Sequence, residues 1–343
     1  MQTQPILSRY LLFLFMTFLV SSFYLPGHYD IPYPQTLDPQ FKPNVKREYI
    51  DAISLNRPGL VLIGDSVLFL GVDQDALSEQ LGAETYSIGV PGSGSAVWYL
   101  ILKNVVLGAS HRPQYAVIVF RDTMLTTPAF RTTGRYFGLL DDFAGRREPL
   151  VAQLAFMDQM SPIEKLAEQY LPLYSARGEI REGLDSRIRY ASPSLLLDCS
   201  AECTDEAMNS IFGRERVDVV ALNQAVEGAG ETLYAPEALD FDEQIDRSFL
   251  PATIQLAQEN EITLIFVRTR TLMFPEYSSE PPALRNYMQS LDAYISGHGA
   301  HYLDFAHDER IKDEYFFDLL HFNAAGQDAF TQLLAEELQG FLK

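Results

Sequence analysis

Two short segments, far apart in the chain, contain residue types that can do covalent chemistry together. Gly64-Asp65-Ser66 follows directly on an apolar run, and Asp318-Leu-Leu-His321-Phe-Asn323 stands near the other end of the 343 residues. A serine hydroxyl becomes a nucleophile when a base takes its proton. The base works best when a carboxylate on its other ring nitrogen fixes the tautomer and steadies the imidazolium that forms. A spacing of three lets Asp318 and His321 converge on one turn. The catalytic reading therefore takes Ser66 as nucleophile, His321 as base and Asp318 as orienting carboxylate, a set suited to acyl chemistry. Each piece also has a plainer reading. Gly-Asp-Ser serves as an ordinary helix cap, Asp318 and His321 can pair only with each other, and Asn323 can cap the last helix.

The elements around these residues predict how they meet. Gly59–Gly64 reads as a short strand buried on both faces, and Glu84–Ile88, Tyr115–Phe120, Ile262–Val267 and His301–Phe305 read likewise. Between and after them lie helical patterns at Asp73–Leu81, Ser95–Leu107, Ser248–Asn260, Ala283–Ser296 and Ala324–Leu342. Strands alternating with helices predict a doubly wound, flavodoxin-like α/β fold on a parallel sheet of about five strands. The stretch between the third and fourth strands, Arg121 to Glu261, is far longer than a crossover needs. Its 124–245 portion is expected to form an inserted, cap-like region over the carboxyl edge, where open α/β sheets bind ligands. Within it, Leu150–Tyr170 reads as an amphipathic helix, and Thr132–Arg147 and Leu196–Thr204 read as loops.

Together the two segments resemble the SGNH, or GDSL-type, hydrolase superfamily, whose members carry Gly-Asp-Ser early and Asp-x-x-His late on a flavodoxin-like sheet. The resemblance covers about 50–343. It implies an oxyanion hole built from the Ser66 amide and that of a glycine after the second strand. In Ser87-Ile-Gly89-Val-Pro-Gly92-Ser-Gly94, Gly89 is the better match by position and Gly92 the alternative. A plain strand-to-helix loop is the other reading of these glycines. The family's third block, a Gly-x-Asn-Asp motif after the third strand, is absent. Arg121-Asp122-Thr123 stands there, so Arg121 or Thr123 is the expected donor, unless Arg121 and Asp122 form a structural pair. Losing one such donor costs about a hundred- to a thousandfold in rate. Arg268 and Arg270, ending the fourth strand, are expected either to hold a substrate anion or to pack against acidic residues of the insertion.

The N-terminus bears on the compartment. Tyr10–Leu25 is uncharged and apolar, with Arg9 before it and Asp30 and Asp38 after it. Residues 1–25 read as a membrane anchor or signal peptide with the rest of the chain outside the cytoplasm. Small residues at Val20-Ser21-Ser22 would suit cleavage, whereas the apolar Phe23-Tyr24-Leu25 favours a retained, single-pass anchor in the cytoplasmic membrane. Residues 26–50, with prolines at 26, 32, 34, 39 and 43, read as an extended linker, and 51–343 as the α/β domain. Cys199 and Cys203 are expected either to close a local disulfide or to remain free thiols.

With 26 Lys+Arg against 46 Asp+Glu, the net charge of -20 argues against a nucleic-acid partner. His28, His111, His298, His301 and His307 show no ligand spacing, so neither a metal nor another cofactor is expected. An anchored domain of this look resembles the O-acyltransferases that decorate bacterial envelope polysaccharides with a membrane-bound O-acyltransferase protein as partner. That resemblance implies an acyl donor and a glycan acceptor. An extracytoplasmic esterase uses the same residues on an ester substrate, and a non-catalytic envelope binding protein is the third reading.

Overall fold

The computed structural model describes residues 4–28, 30, 33–177, 180 and 227–342. Cys199, Cys203 and the loop expected over Leu196–Thr204 lie outside them. The chain divides into two compact units, one of Met1–Pro39 with Phe156–Asp218 and the other of Gln40–Ala155 with Val219–Lys343. Residues 124–245 thus contribute to both.

The larger unit holds a five-stranded sheet of β1 (Leu60–Gly64), β2 (Thr85–Gly89), β3 (Tyr115–Phe120), β4 (Thr263–Arg268) and β5 (His301–Asp304). Their order is β2-β1-β3-β4-β5 and every pairing is parallel. This is the doubly wound arrangement expected from the alternating pattern. β1, β3 and β4 are buried nearly throughout because both faces are covered. On one face Leu60, Leu62, Val117, Val119, Ile265 and Val267 pack with Phe305, Phe316, Phe322 and Phe330, the last of these from the helix Ala324–Leu338. On the other, Ile118 and Phe266 meet Trp98, Phe249 and Leu250. Tying both faces down fixes where each strand ends, and all five end at the same edge.

Local differences from the sequence reading have identifiable causes. A helix at Arg47–Asn56 begins inside the expected linker, after its last proline, and is held by the fully buried Ile53. The helix begun at Ser95 changes at Leu100 into a wider π-helical stretch, Ile101–Val106. Thr132–Arg147, expected as loop, contains the helical turns Gly134–Tyr136 and Phe137–Asp141, since Leu140 and Phe143 are drawn fully into the core. Leu150–Tyr170 is broken rather than continuous. Ser161 caps a new helix, Pro162–Tyr170, through a reciprocal bond pair with Glu164, and Pro162 occupies its first turn.

The smaller unit contains the helix Gln4–His28, the helix Pro162–Tyr170 and the short helix Pro172–Ser175. Ile6–His28 is the one helix among the described residues long and apolar enough to cross a membrane.

Candidate active site

Ser66 is the first residue of the helix Ser66–Gly71, which starts as soon as β1 ends. Asp65 caps that helix by accepting the Val67 N–H at 2.9 Å. The cap holds Ser66 at the carboxyl edge, half-buried, with its N–H unclaimed by any acceptor among the described residues. A second brace comes from β2 and its loop. The Val90 N–H donates to the Gly64 carbonyl at 2.9 Å, as does the Ser93 hydroxyl at 3.3 Å, and the Trp98 indole N–H donates to Ser93 Oγ at 2.8 Å.

Gly89 pairs with Gly64 across the ladder. A side chain at Gly89 would place its first carbon 2.8 Å from Phe69 Cα, so only glycine lets β2 close against the helix Ser66–Gly71. Gly92 has a φ of 82° and follows Pro91 in a turn closed by the Ser93 N–H on the Val90 carbonyl, which suits a type II turn.

The second half of the site is a loop held between β5 and the last helix. Phe316 and Phe322 form an antiparallel bridge, and the Phe317 N–H donates to the His321 carbonyl at 3.0 Å. Asn323 caps the helix Ala324–Leu338 through the Gly326 N–H at 3.1 Å, the plainer reading allowed above. Asp318 Oδ1 receives the N–H groups of Leu320 and His321, each at 2.7 Å, leaving Oδ2 aimed at His321 Nδ1, also at 2.7 Å. His321 Nε2 then lies 2.8 Å from Ser66 Oγ. The structure brings all three residues into one relay.

Burial alone would raise the Asp318 pKa, but the His321 ring and the two backbone N–H groups override it and hold the carboxyl below its ordinary value of 3.8. An ionised Asp318 fixes the proton on His321 Nδ1, so Nε2 is the acceptor for the serine hydroxyl. The Phe317 ring stacks on the imidazole at 5.6 Å, and Val67, Leu320, Met273 and Leu319 make a small apolar cluster beside it. Reading types and spacing missed these neighbours. Their sole signal was adjacency, as Val67 follows Ser66 and Leu320 precedes His321.

The arginines follow the structural rather than the substrate-binding alternative, and the acidic partners of Arg268 and Arg270 come from outside 124–245. Arg121, expected to replace the missing Asn, is only 2% exposed. Its Nη1 donates to Asp122 at 2.7 Å, and Nε and Nη2 are buried without a partner. A guanidinium so deeply buried needs the adjacent carboxylate, and two of its nitrogens keep donors that no described residue accepts. Thr123 Oγ1 donates to the Leu233 carbonyl at 2.6 Å and is engaged as well. Arg268 is tied to Glu280 and, at 3.2 Å, to Asp304. Arg270 is tied to Asp313 at 2.7 Å and to the Asp308 carbonyl at 3.3 Å. They line neighbouring cavities of about 360 and 400 Å³ whose walls include neither Ser66 nor His321. Among the described residues no cluster of His, Cys, Asp and Glu is arranged to hold a metal ion.

No family model matches the chain, and no curated protein does. Among solved structures it is similar to a proposed acylhydrolase from Bacteroides fragilis, with 12% identity, a TM-score of 0.40, and coverage of 83% of this chain and 88% of that one. A proposed lipolytic protein of the G-D-S-L family from Desulfitobacterium hafniense is similar at 11% identity and a TM-score of 0.35, covering 82% and 98%. A family two carbohydrate esterase from Clostridium thermocellum follows at 9% and 0.31, covering 82% and 63%. Likenesses of this size transfer neither a residue's role nor an activity. The fold itself is the doubly wound, flavodoxin-like parallel sheet described above. On that sheet Ser66 stands just after the end of β1, and the Asp318–His321 loop stands just before the last helix.

Proposed function

We propose that the chain is a serine-dependent acyl-transfer enzyme acting outside the cytoplasmic membrane, which moves an O-acyl group, an acetyl above all, onto a cell-envelope polysaccharide. One observation carries the reading: the hydrogen-bonded series Ser66 Oγ, His321 Nε2, His321 Nδ1, Asp318 Oδ2, with contacts of 2.8 and 2.7 Å. In the first half-reaction Ser66 Oγ attacks the carbonyl carbon of the donor ester while its proton passes to His321 Nε2. Asp318 stabilises the imidazolium, and the unclaimed Ser66 N–H, with the amide of Gly89 or Gly92, receives the oxyanion. The intermediate collapses by breaking the bond to the leaving oxygen, which takes the proton from His321, and acyl-serine remains. In the second half-reaction a glycan hydroxyl gives its proton to His321 and attacks the acyl-serine, regenerating Ser66. A membrane-bound O-acyltransferase protein as supplier of the donor fits the N-terminal apolar helix.

Ester hydrolysis is the second reading, with water in place of the sugar. It is favoured by Ser66 being only half-buried. The two are separated by incubating the purified full chain with p-nitrophenyl acetate, with and without an envelope oligosaccharide. Transfer predicts Ser66-dependent acetyl mass on the sugar. Acetate release with no sugar ever acetylated would replace transfer by hydrolysis.

A further inference from the structure

The helix Pro162–Tyr170 carries its apolar residues on the wrong side for a soluble protein. Ile163, Leu166 and Tyr170 lie within one arc of a 3.6-residue helix and are 79%, 60% and 48% exposed. The polar residues Lys165, Glu168 and Gln169 are the partly covered ones. Glu168 is engaged by Arg177 at 2.5 Å, and the Gln169 carbonyl accepts the Gln35 N–H at 3.1 Å. The apolar face continues beyond the helix through Leu171 and Leu173, at 38% and 42% exposure. An inside-out helix of this kind exposes apolar area that water penalises, so it calls for an apolar occupant.

Its place in the smaller unit says which. The short helix Pro172–Ser175 packs on the long apolar helix Gln4–His28, and the helix Pro162–Tyr170 packs on Pro172–Ser175. The long helix is almost wholly exposed along 6–20, whereas Ser21, Ser22, Leu25 and Pro26 are partly or fully covered, so its contacts gather at the C-terminal end. Gln35, which binds the turn after Gln169, lies only a few residues beyond that end. The inverted face therefore sits level with the point where a spanning helix would leave the hydrocarbon.

We propose that the helix Pro162–Tyr170, with Leu171 and Leu173, lies in the lipid interface of the outer leaflet as a second membrane contact, its apolar face in the acyl-chain boundary. This rests on Gln4–His28 being the membrane-spanning segment. With Glu164 and Glu168 near it and a net charge of -20 overall, insertion is driven by apolar burial rather than by anionic headgroups. Tyr170 suits the boundary, with its ring in the apolar layer and its hydroxyl in the headgroup region.

The test uses the full chain in phosphatidylcholine vesicles, with tryptophan as reporter, because the native Trp98 is buried and supplies a constant background. Leu166→Trp reports the apolar face, Glu164→Trp a neighbouring polar position, and Phe15→Trp the middle of the long helix. Lipids brominated near the headgroup end of the acyl chain are expected to quench most of the Leu166→Trp emission and to leave Glu164→Trp nearly unchanged. Lipids brominated deep in the chain are expected to quench Phe15→Trp. Quenching of Phe15→Trp without Leu166→Trp would overturn the interfacial contact while leaving the spanning helix in place. Absence of quenching at both would remove the spanning helix itself. Blue-shifted Leu166→Trp emission without lipid would assign the face to protein and equally overturn the proposal.

Discussion

Among the described residues of the larger unit, two histidine–carboxylate pairs have opposite characters. His321 meets Asp318 at 2.7 Å, and its far nitrogen meets Ser66 Oγ. His307 meets Glu280 at the looser 3.3 Å, and its far nitrogen Nδ1 is buried with no hydrogen-bond partner among the described residues. The carboxylates differ as well. Asp318 is bonded only to backbone N–H groups and to the imidazole, so its negative charge is spent on His321. Glu280 also binds the Arg268 guanidinium, which neutralises it before the histidine is counted. A histidine beside a carboxylate is therefore not a catalytic unit in itself. It becomes one when the carboxylate has no cation of its own and the second ring nitrogen faces a nucleophile.

The largest effect that could break this contrast is on rate. His321→Ala is expected to slow aryl-ester cleavage by about 10⁴-fold or more, as loss of a triad base does elsewhere. A loss under tenfold would mean that His321 is not the base. Asp318→Asn comes next, at roughly 10³- to 10⁴-fold, because an amide donating to Nδ1 selects the wrong tautomer. Its measurement is kcat on the same ester, with circular dichroism to confirm the fold.

On the other side of the comparison the effect is on stability. Arg268→Ala leaves Glu280 buried without its cation and is expected to cost about 3–5 kcal/mol in denaturant unfolding. The folded remainder should keep the wild-type kcat. A smaller effect distinguishes the carboxylates by pH. The Asp318 pKa is lowered in the fold, so its contribution to stability is present above the ordinary value of 3.8 and is lost as pH falls through the lowered one. Wild type should therefore lose stability on acidification through that window more steeply than Asp318→Asn, read as denaturation midpoints. Least affected of all should be His307→Ala, whose kcat is expected to stay at the wild-type value.

How much of this the chain itself revealed follows from the range of the interactions. The strands were legible because β1, β3 and β4 are runs of buried β-branched and aromatic residues, and their alternation with helices dictates the parallel sheet. Ser66, Asp318 and His321 were legible because acyl chemistry demands those types, and two of them are three residues apart. The Arg268–Glu280 pair was not, since nothing local binds position 268 to 280 before the chain folds back. For Arg121 the sequence left a substrate donor and a pair with Asp122 both open, for a related reason. Types and order bring a donor to the end of β3, but burial of its guanidinium against Asp122 is decided by what packs above it. The inverted helix at 162–170 shows the same limit, because its amphipathic pattern is plain in sequence while the side that faces outward is set by tertiary contacts.

Fluorophosphonate labelling of the full chain tests most directly whether Ser66 is a nucleophile activated by His321. One adduct is expected on wild type, mapped by peptide mass to the segment containing Ser66 and lost in Ser66→Ala. An unlabelled wild-type chain, or an adduct that persists in Ser66→Ala, would contradict the covalent mechanism.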